Sequence, residues 1–313
     1  RIFLIIRLLV LILVGLFIYF EIINLFFYYY ILITCFSVLL ICWTLYLYRK
    51  GVRPFGIENK LDNTTKRRYI SEFYAYSSPL FIAGLFTLFT VFGERWLLQF
   101  YGGSVQQGYY SFSYAVASII FLFTGSMSPL FTREFSIAWK NNDFIRMRSL
   151  YNKLIPLLII LATYLSFFVA FNSEYIIQLI AGTSYSDASL IISVMAIYPI
   201  HQTYGQLCAS ILYASGNTRL IRNVSIPIDI IGLLIVLILL FPKDLGGFEM
   251  SSLGLAYKMV FMQFIAVNIY LYHCTKLLKL SYINSLKFQL IIITVFSLCA
   301  FITKELSTYY IVS

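Results

Sequence analysis

Apolar residues fill this chain in long unbroken stretches, and the polar positions collect in the short segments between them. Nine stretches stand out, approximately 2–20, 25–48, 74–99, 109–131, 154–172, 188–213, 223–241, 251–272 and 288–304. Each has about 18 or more residues, enough for a helix to cross a hydrocarbon layer roughly 30 Å thick. The runs are continuous instead of alternating, and strands in lipid survive only in a closed barrel, so strands are excluded. The pattern predicts an all-α integral membrane protein, a polytopic bundle of about nine transmembrane helices. None of the runs has the form of a cleavable signal peptide.

The polar connectors fix a direction, because short loops rich in lysine and arginine stay on the cytoplasmic side. Connectors 49–73, 132–153, 214–222 and 273–287 carry seventeen such residues, whereas 21–24, 100–108, 173–187 and 242–250 carry one, Lys243. The first set is therefore expected in the cytoplasm. Segment 49–73 is the longest polar stretch and the natural linker between two bundles, with added attraction for anionic membrane lipids as a second role. In 132–154, Phe144, Met147, Tyr151 and Leu154 recur at helical spacing between basic residues, which predicts an amphipathic helix lying in the interface with Trp139 as its anchor. GGSVQQG (102–108) reads as a turn outside.

Composition strengthens the membrane reading. The 313 residues are 60% hydrophobic, 19% aromatic and only 12% charged, against roughly half apolar in soluble domains. A net charge of +10 belongs to the connectors, not to one basic face, so no nucleic-acid partner follows. The five cysteines have no metal-ligand spacing and read as small packing residues. Because the chain opens on Arg1 and stops at Ser313 within a new apolar stretch, it is expected to be a fragment of a longer protein.

Ionisable groups inside spans cost roughly 2.5–3.5 kcal/mol each on insertion scales, so each is a functional candidate or a paired structural group. They are Arg7 in the first span, Glu94 and Arg95 at the end of the third, His201 in the sixth, Asp229 in the seventh and Lys258 in the eighth. Glu94 and Arg95 sit beside Trp96, Tyr101, Tyr109 and Tyr110, an aromatic belt at headgroup depth. Two readings stand for them, an interfacial ion pair that ends the helix, or the outer mouth of a polar cavity. Asp229 follows Pro227, whose ring frees a backbone carbonyl. It is either a coupling or gating group for H+ or Na+, or a carboxylate paired with Lys258 or Arg95. Lys258 lies too deep to snorkel comfortably and could hold a phosphate as a point charge, as could Arg95 and Arg7. His201, with Gln202 and Tyr204 beside it, is a hydrogen-bonded core histidine or part of a wet face suited to sugar hydroxyls. No Walker loop, Asp-x-Asp pair, GxSxG or metal-binding histidine cluster occurs.

The stretch SPLFIAGLFTLFTVFGERWLLQFYGGSVQQGYYSFSYAVA, then SMSPLFTREF, then YPIHQTYGQLCASILYASGNTR, resembles the polysaccharide flippases, the O-antigen (Wzx-type) and capsule exporters of the multidrug/oligosaccharidyl-lipid/polysaccharide superfamily. The resemblance rests on an acidic-Arg-Trp element (Glu94, Arg95, Trp96), Gly102, Gly108 before Tyr109 and Tyr110, Pro129, and the Gly216–Arg219 turn, over roughly residues 70–275. Glu94 departs from the usual aspartate. The resemblance implies a MATE-like two-lobe transporter with the amino-terminal lobe mostly missing. Residues 1–48 would close that lobe, 49–73 would link, 74–273 would form the carboxy-terminal six-helix lobe and 274–313 would begin extra spans. It further implies a flippase without enzymatic activity, moving an undecaprenyl-pyrophosphate-linked oligosaccharide across a bacterial inner membrane for O-antigen, lipopolysaccharide or capsule synthesis. Other polysaccharide-assembly proteins would be partners. No cofactor is implied beyond a coupling H+ or Na+. A cation-coupled multidrug antiporter of the same superfamily is the alternative. A membrane-embedded polysaccharide polymerase fits less well, because the longest outer loop, 173–187, is short for a catalytic domain.

Overall fold

A computed structural model describes residues 25–51 and 62–312, and these are helical almost throughout, with no strand among them. The helices are α1 (Leu25–Arg49), α2 (Asn63–Ile120), α3 (Leu122–Lys140), α4 (Phe144–Phe171), α5 (Ser173–Ile180), α6 (Ser189–Met195), α7 (Tyr198–Ala214), α8 (Thr218–Leu240), α9 (Ser251–Leu277) and α10 (Tyr282–Val312). Among the described residues six helices are long and apolar enough to cross a membrane: α1, α2, α4, α8, α9 and α10. The chain is a multi-pass membrane protein whose described residues are all-helical in class. It divides into two compact units between Tyr69 and Ile70. Within the first, the described helix is α1 with the opening turns of α2; the expected first span and Arg7 lie outside the described residues. All of the packing that follows belongs to the second unit.

The expected spans 74–99 and 109–131 are two helical segments parted within GGSVQQG, as read, but by a sharp kink and not by a full loop. Residues 63–73, assigned to the linker, are already helical, and α2 continues to Ile120 with one interruption, at Gly103. There φ is 79° and ψ is 178°, a backbone region open essentially to glycine alone. GGSVQQG thus holds the kink between two helices, with Gly103 its one non-helical residue. The span 109–131 is instead interrupted at Phe121, and 188–213 at Ala196 and Ile197.

The expected interfacial helix over 132–154 is absent as such. Asn141, Asn142 and Asp143 form a tight turn, with Asn142 at φ 53° and the Asp143 side chain accepting from the Arg146 backbone N–H at 2.9 Å. That cap starts α4 at Phe144, so the stretch is cut between the end of α3 and the start of α4. Its apolar face turns inward: Met147 is fully buried and Tyr151 nearly so. Trp139 packs against the core with its ring 5.7 Å from Phe144.

At the centre of the unit is α7, which buries eleven of its seventeen residues and packs against α3, α4 and α9. Hydroxyl pairs bridge α3 and α7, Thr124 to Thr203 at 3.3 Å and Ser128 to Ser210 at 3.1 Å. Small polar residues at such crossings let the backbones approach and satisfy each other without water. In turn α9 also packs on α6, α8 and α10. The outer surface stays apolar: α8 exposes Ile230, Ile231, Leu234 and Ile238 while burying Gly232, Val236 and Leu240. In water that face would be a liability; against hydrocarbon it is the expected solvent boundary.

Candidate functional site

The intramembrane charges converge where α2, α8 and α9 meet. Glu94 of α2 and Lys258 of α9 form a hydrogen-bonded ion pair, 164 residues apart in sequence, with side chains only 7% and 9% exposed. The sequence offered Glu94 to Arg95, and Lys258 to Asp229; the pairing is neither of these. Asp229 of α8 accepts a hydrogen bond from the Thr87 hydroxyl at 2.7 Å and remains half-buried. The Lys258 stem crosses α8 one helical turn from Asp229, against Gly232. Two acids and one ammonium thus share one region of the bundle.

Gly232, three residues beyond Asp229 on the same face of α8, makes room for the lysine. A Cβ built there would stand 2.7 Å from Lys258 Cε and 3.1 Å from its Nζ. A side chain at 232 would occupy the channel through which the lysine stem reaches Glu94. Helix α8 passes through Pro227 without interruption. The structure therefore holds Lys258 buried and paired instead of projecting it into an open cavity.

Arg95 points elsewhere. Its guanidinium donates to the Ser111 hydroxyl at 2.7 Å and lies over the Tyr110 ring at 4.5 Å and the Tyr114 ring at 5.9 Å from the centroids. Among the described residues it has no carboxylate at ion-pair distance. Half-buried, the guanidinium is compensated by this hydrogen bond and the tyrosine faces, cation–π contacts being worth about 0.5–2 kcal/mol. Tyr110 is only 3% exposed and lies under this cation, not in the aromatic belt. Trp96, 56% exposed, does stack with Phe100, and Tyr109 packs edge-on to Tyr185.

A search for relatives was negative. No family model, no curated protein and no solved structure matches the chain.

The remaining candidates form a neutral layer around α7. His201 is 5% exposed, with Nδ1 3.0 Å from the Gln289 amide nitrogen and its ring edge-on to Phe264. Tyr204 is 1% exposed, inside the main apolar core. Gln202, in contrast, is half-buried and accepts a hydrogen bond from Gln263 of α9 at 2.5 Å. Residues missed in the sequence are Thr87, Ser111, Gly232, Gln263 and Gln289. A signal existed for two of them: Thr87 lies two helical turns before Glu94, and Gly232 one turn after Asp229, so each shares a face with its charge.

Proposed function

We propose that the chain acts as a flippase that moves a polyprenyl-pyrophosphate-linked oligosaccharide across the bacterial inner membrane for surface polysaccharide export. The observation that carries this reading is the buried Glu94–Lys258 pair, with Asp229 one helical turn from the point where the lysine stem crosses α8. A bundle with no need to handle charge gains little from three ionised groups among apolar helices, and such groups mark substrate or ion paths. Sugars and pyrophosphate cannot cross hydrocarbon unaided, so a carrier must replace their water with fixed donors and charges.

The roles divide as follows. Arg95, stacked on Tyr110 and Tyr114 and free of a carboxylate partner among the described residues, is the group best prepared to meet pyrophosphate. Lys258 meets an anion only when Glu94 releases it. Protonation of Glu94, or a shift of α2 relative to α9, would hand the ammonium to Asp229 or to the substrate. Binding of H+ at the acids and release of the lysine are then linked events.

The multidrug antiporter remains the second reading, supported by one observation: once Glu94 neutralises Lys258, the charge left in the cluster is that of Asp229. An acid of this kind suits an organic cation. Expression of the protein in a strain lacking its own O-antigen flippase separates the two. Restored surface polysaccharide supports the flippase; raised drug resistance without surface polysaccharide overturns it in favour of the antiporter.

A further inference from the structure

Gln202 and Gln263 meet across α7 and α9 beside Gly205, where a side chain would crowd the pair. A Cβ there would stand 3.3 Å from the Gln263 amide nitrogen and 3.1 Å from Val267 Cγ2. One bond of the pair is made, from Gln263 Nε2 to Gln202 Oε1. Among the described residues Gln202 Nε2 and Gln263 Oε1 have no hydrogen-bond partner, and neither does the side-chain amide of Gln206, whose Oε1 is buried. Gln202, Gly205 and Gln206 lie on one face of α7, all half-buried where their neighbours Thr203, Tyr204, Leu207 and Cys208 are buried. The result is a neutral strip offering unsatisfied N–H donors and carbonyl acceptors side by side.

We infer that this strip binds the sugar hydroxyls of the transported glycan, an inference that rests on the flippase reading. A cation would want carboxylates and a phosphate would want cations; the strip has neither. A hydroxyl both donates and accepts, and so matches amide groups that present both. Unsatisfied amides inside a membrane bundle are costly unless a ligand completes them, so the strip discriminates by leaving sugar-free lipid uncompensated.

The test uses the full-length protein in lipid nanodiscs and two probes, undecaprenyl pyrophosphate carrying a tetrasaccharide and bare undecaprenyl pyrophosphate. Wild type should bind the sugar-bearing probe at least about tenfold more tightly, the scale of one or two net hydrogen bonds. Gln206→Leu removes no hydrogen bond that its side chain makes within the protein. It should cut that preference about threefold or more while leaving the unfolding temperature and bare-lipid affinity unchanged. Gln202→Leu with Gln263→Leu, which removes the amide pair as a unit, should cut it further. An unchanged preference in both variants overturns the sugar strip, as does equal wild-type affinity for both probes. Wild type that binds neither probe sinks the flippase reading beneath it.

Discussion

Five residues along α9 separate Lys258 from Gln263, and the two side chains show opposite ways of keeping a polar group within an apolar bundle. Lys258 is neutralised by Glu94, sheathed by α8 at Gly232, and almost wholly buried. Gln263 is uncharged, half-buried and left with a carbonyl that no described residue satisfies. A charge must be compensated locally or it unfolds its surroundings, whereas an amide can be left partly open at a cost of about 1–3 kcal/mol. The first arrangement suits a group that changes partner in a cycle. The second suits a surface waiting for a ligand.

The largest expected effect breaks the first arrangement. Lys258→Ala leaves Glu94 as an unpaired buried charge, and loss of one member of a buried pair costs about 3–5 kcal/mol. Thermal unfolding of the detergent-solubilised full-length protein should fall accordingly, and Glu94→Gln together with Lys258→Met should recover most of that loss. Gly232→Ala comes next. The added methyl meets the lysine stem, and overpacking of this kind costs about 1–3 kcal/mol; less destabilisation in a Glu94→Gln, Lys258→Ala background would show that the lysine is what it strikes.

Smaller effects sharpen the comparison. Arg95→Lys keeps the charge but loses the planar stacking on Tyr110 and Tyr114. About 1 kcal/mol of stability should go, together with most affinity for a pyrophosphate-bearing lipid in a direct binding assay. Asp229→Asn should be the mildest for folding, because an amide can still accept from Thr87. Its signature should be lost dependence of transport on a proton gradient, and a wild-type dependence would remove Asp229 from the coupling role.

Much of the fold could be read from apolar run length, because length and continuity alone decide whether a helix can span. What could not be read was how runs join. Gly102, Gly103 and two glutamines look like a loop, but only Gly103 adopts a conformation that a helix excludes. The amphipathic stretch after Thr132 was correctly periodic from Phe144 to Leu154, yet periodicity is the same for a face in lipid headgroups and a face in a protein core. Likewise each intramembrane charge announced itself by its cost, while its partner depended on helix rotation, which sequence spacing does not encode across 164 residues. Gln263 escaped notice because a single amide in an apolar helix carries no such alarm. Its meaning appears only beside Gln202 and Gly205.

The central claim is that the Glu94–Lys258 pair works in transport and is not merely internal glue. It is tested most directly by the full-length Glu94→Gln, Lys258→Met double variant in proteoliposomes, with translocation of a fluorescent lipid-linked oligosaccharide measured beside thermal unfolding. The account predicts a protein that folds close to wild type and moves little or no lipid. A double variant that folds and transports at the wild-type rate would contradict it.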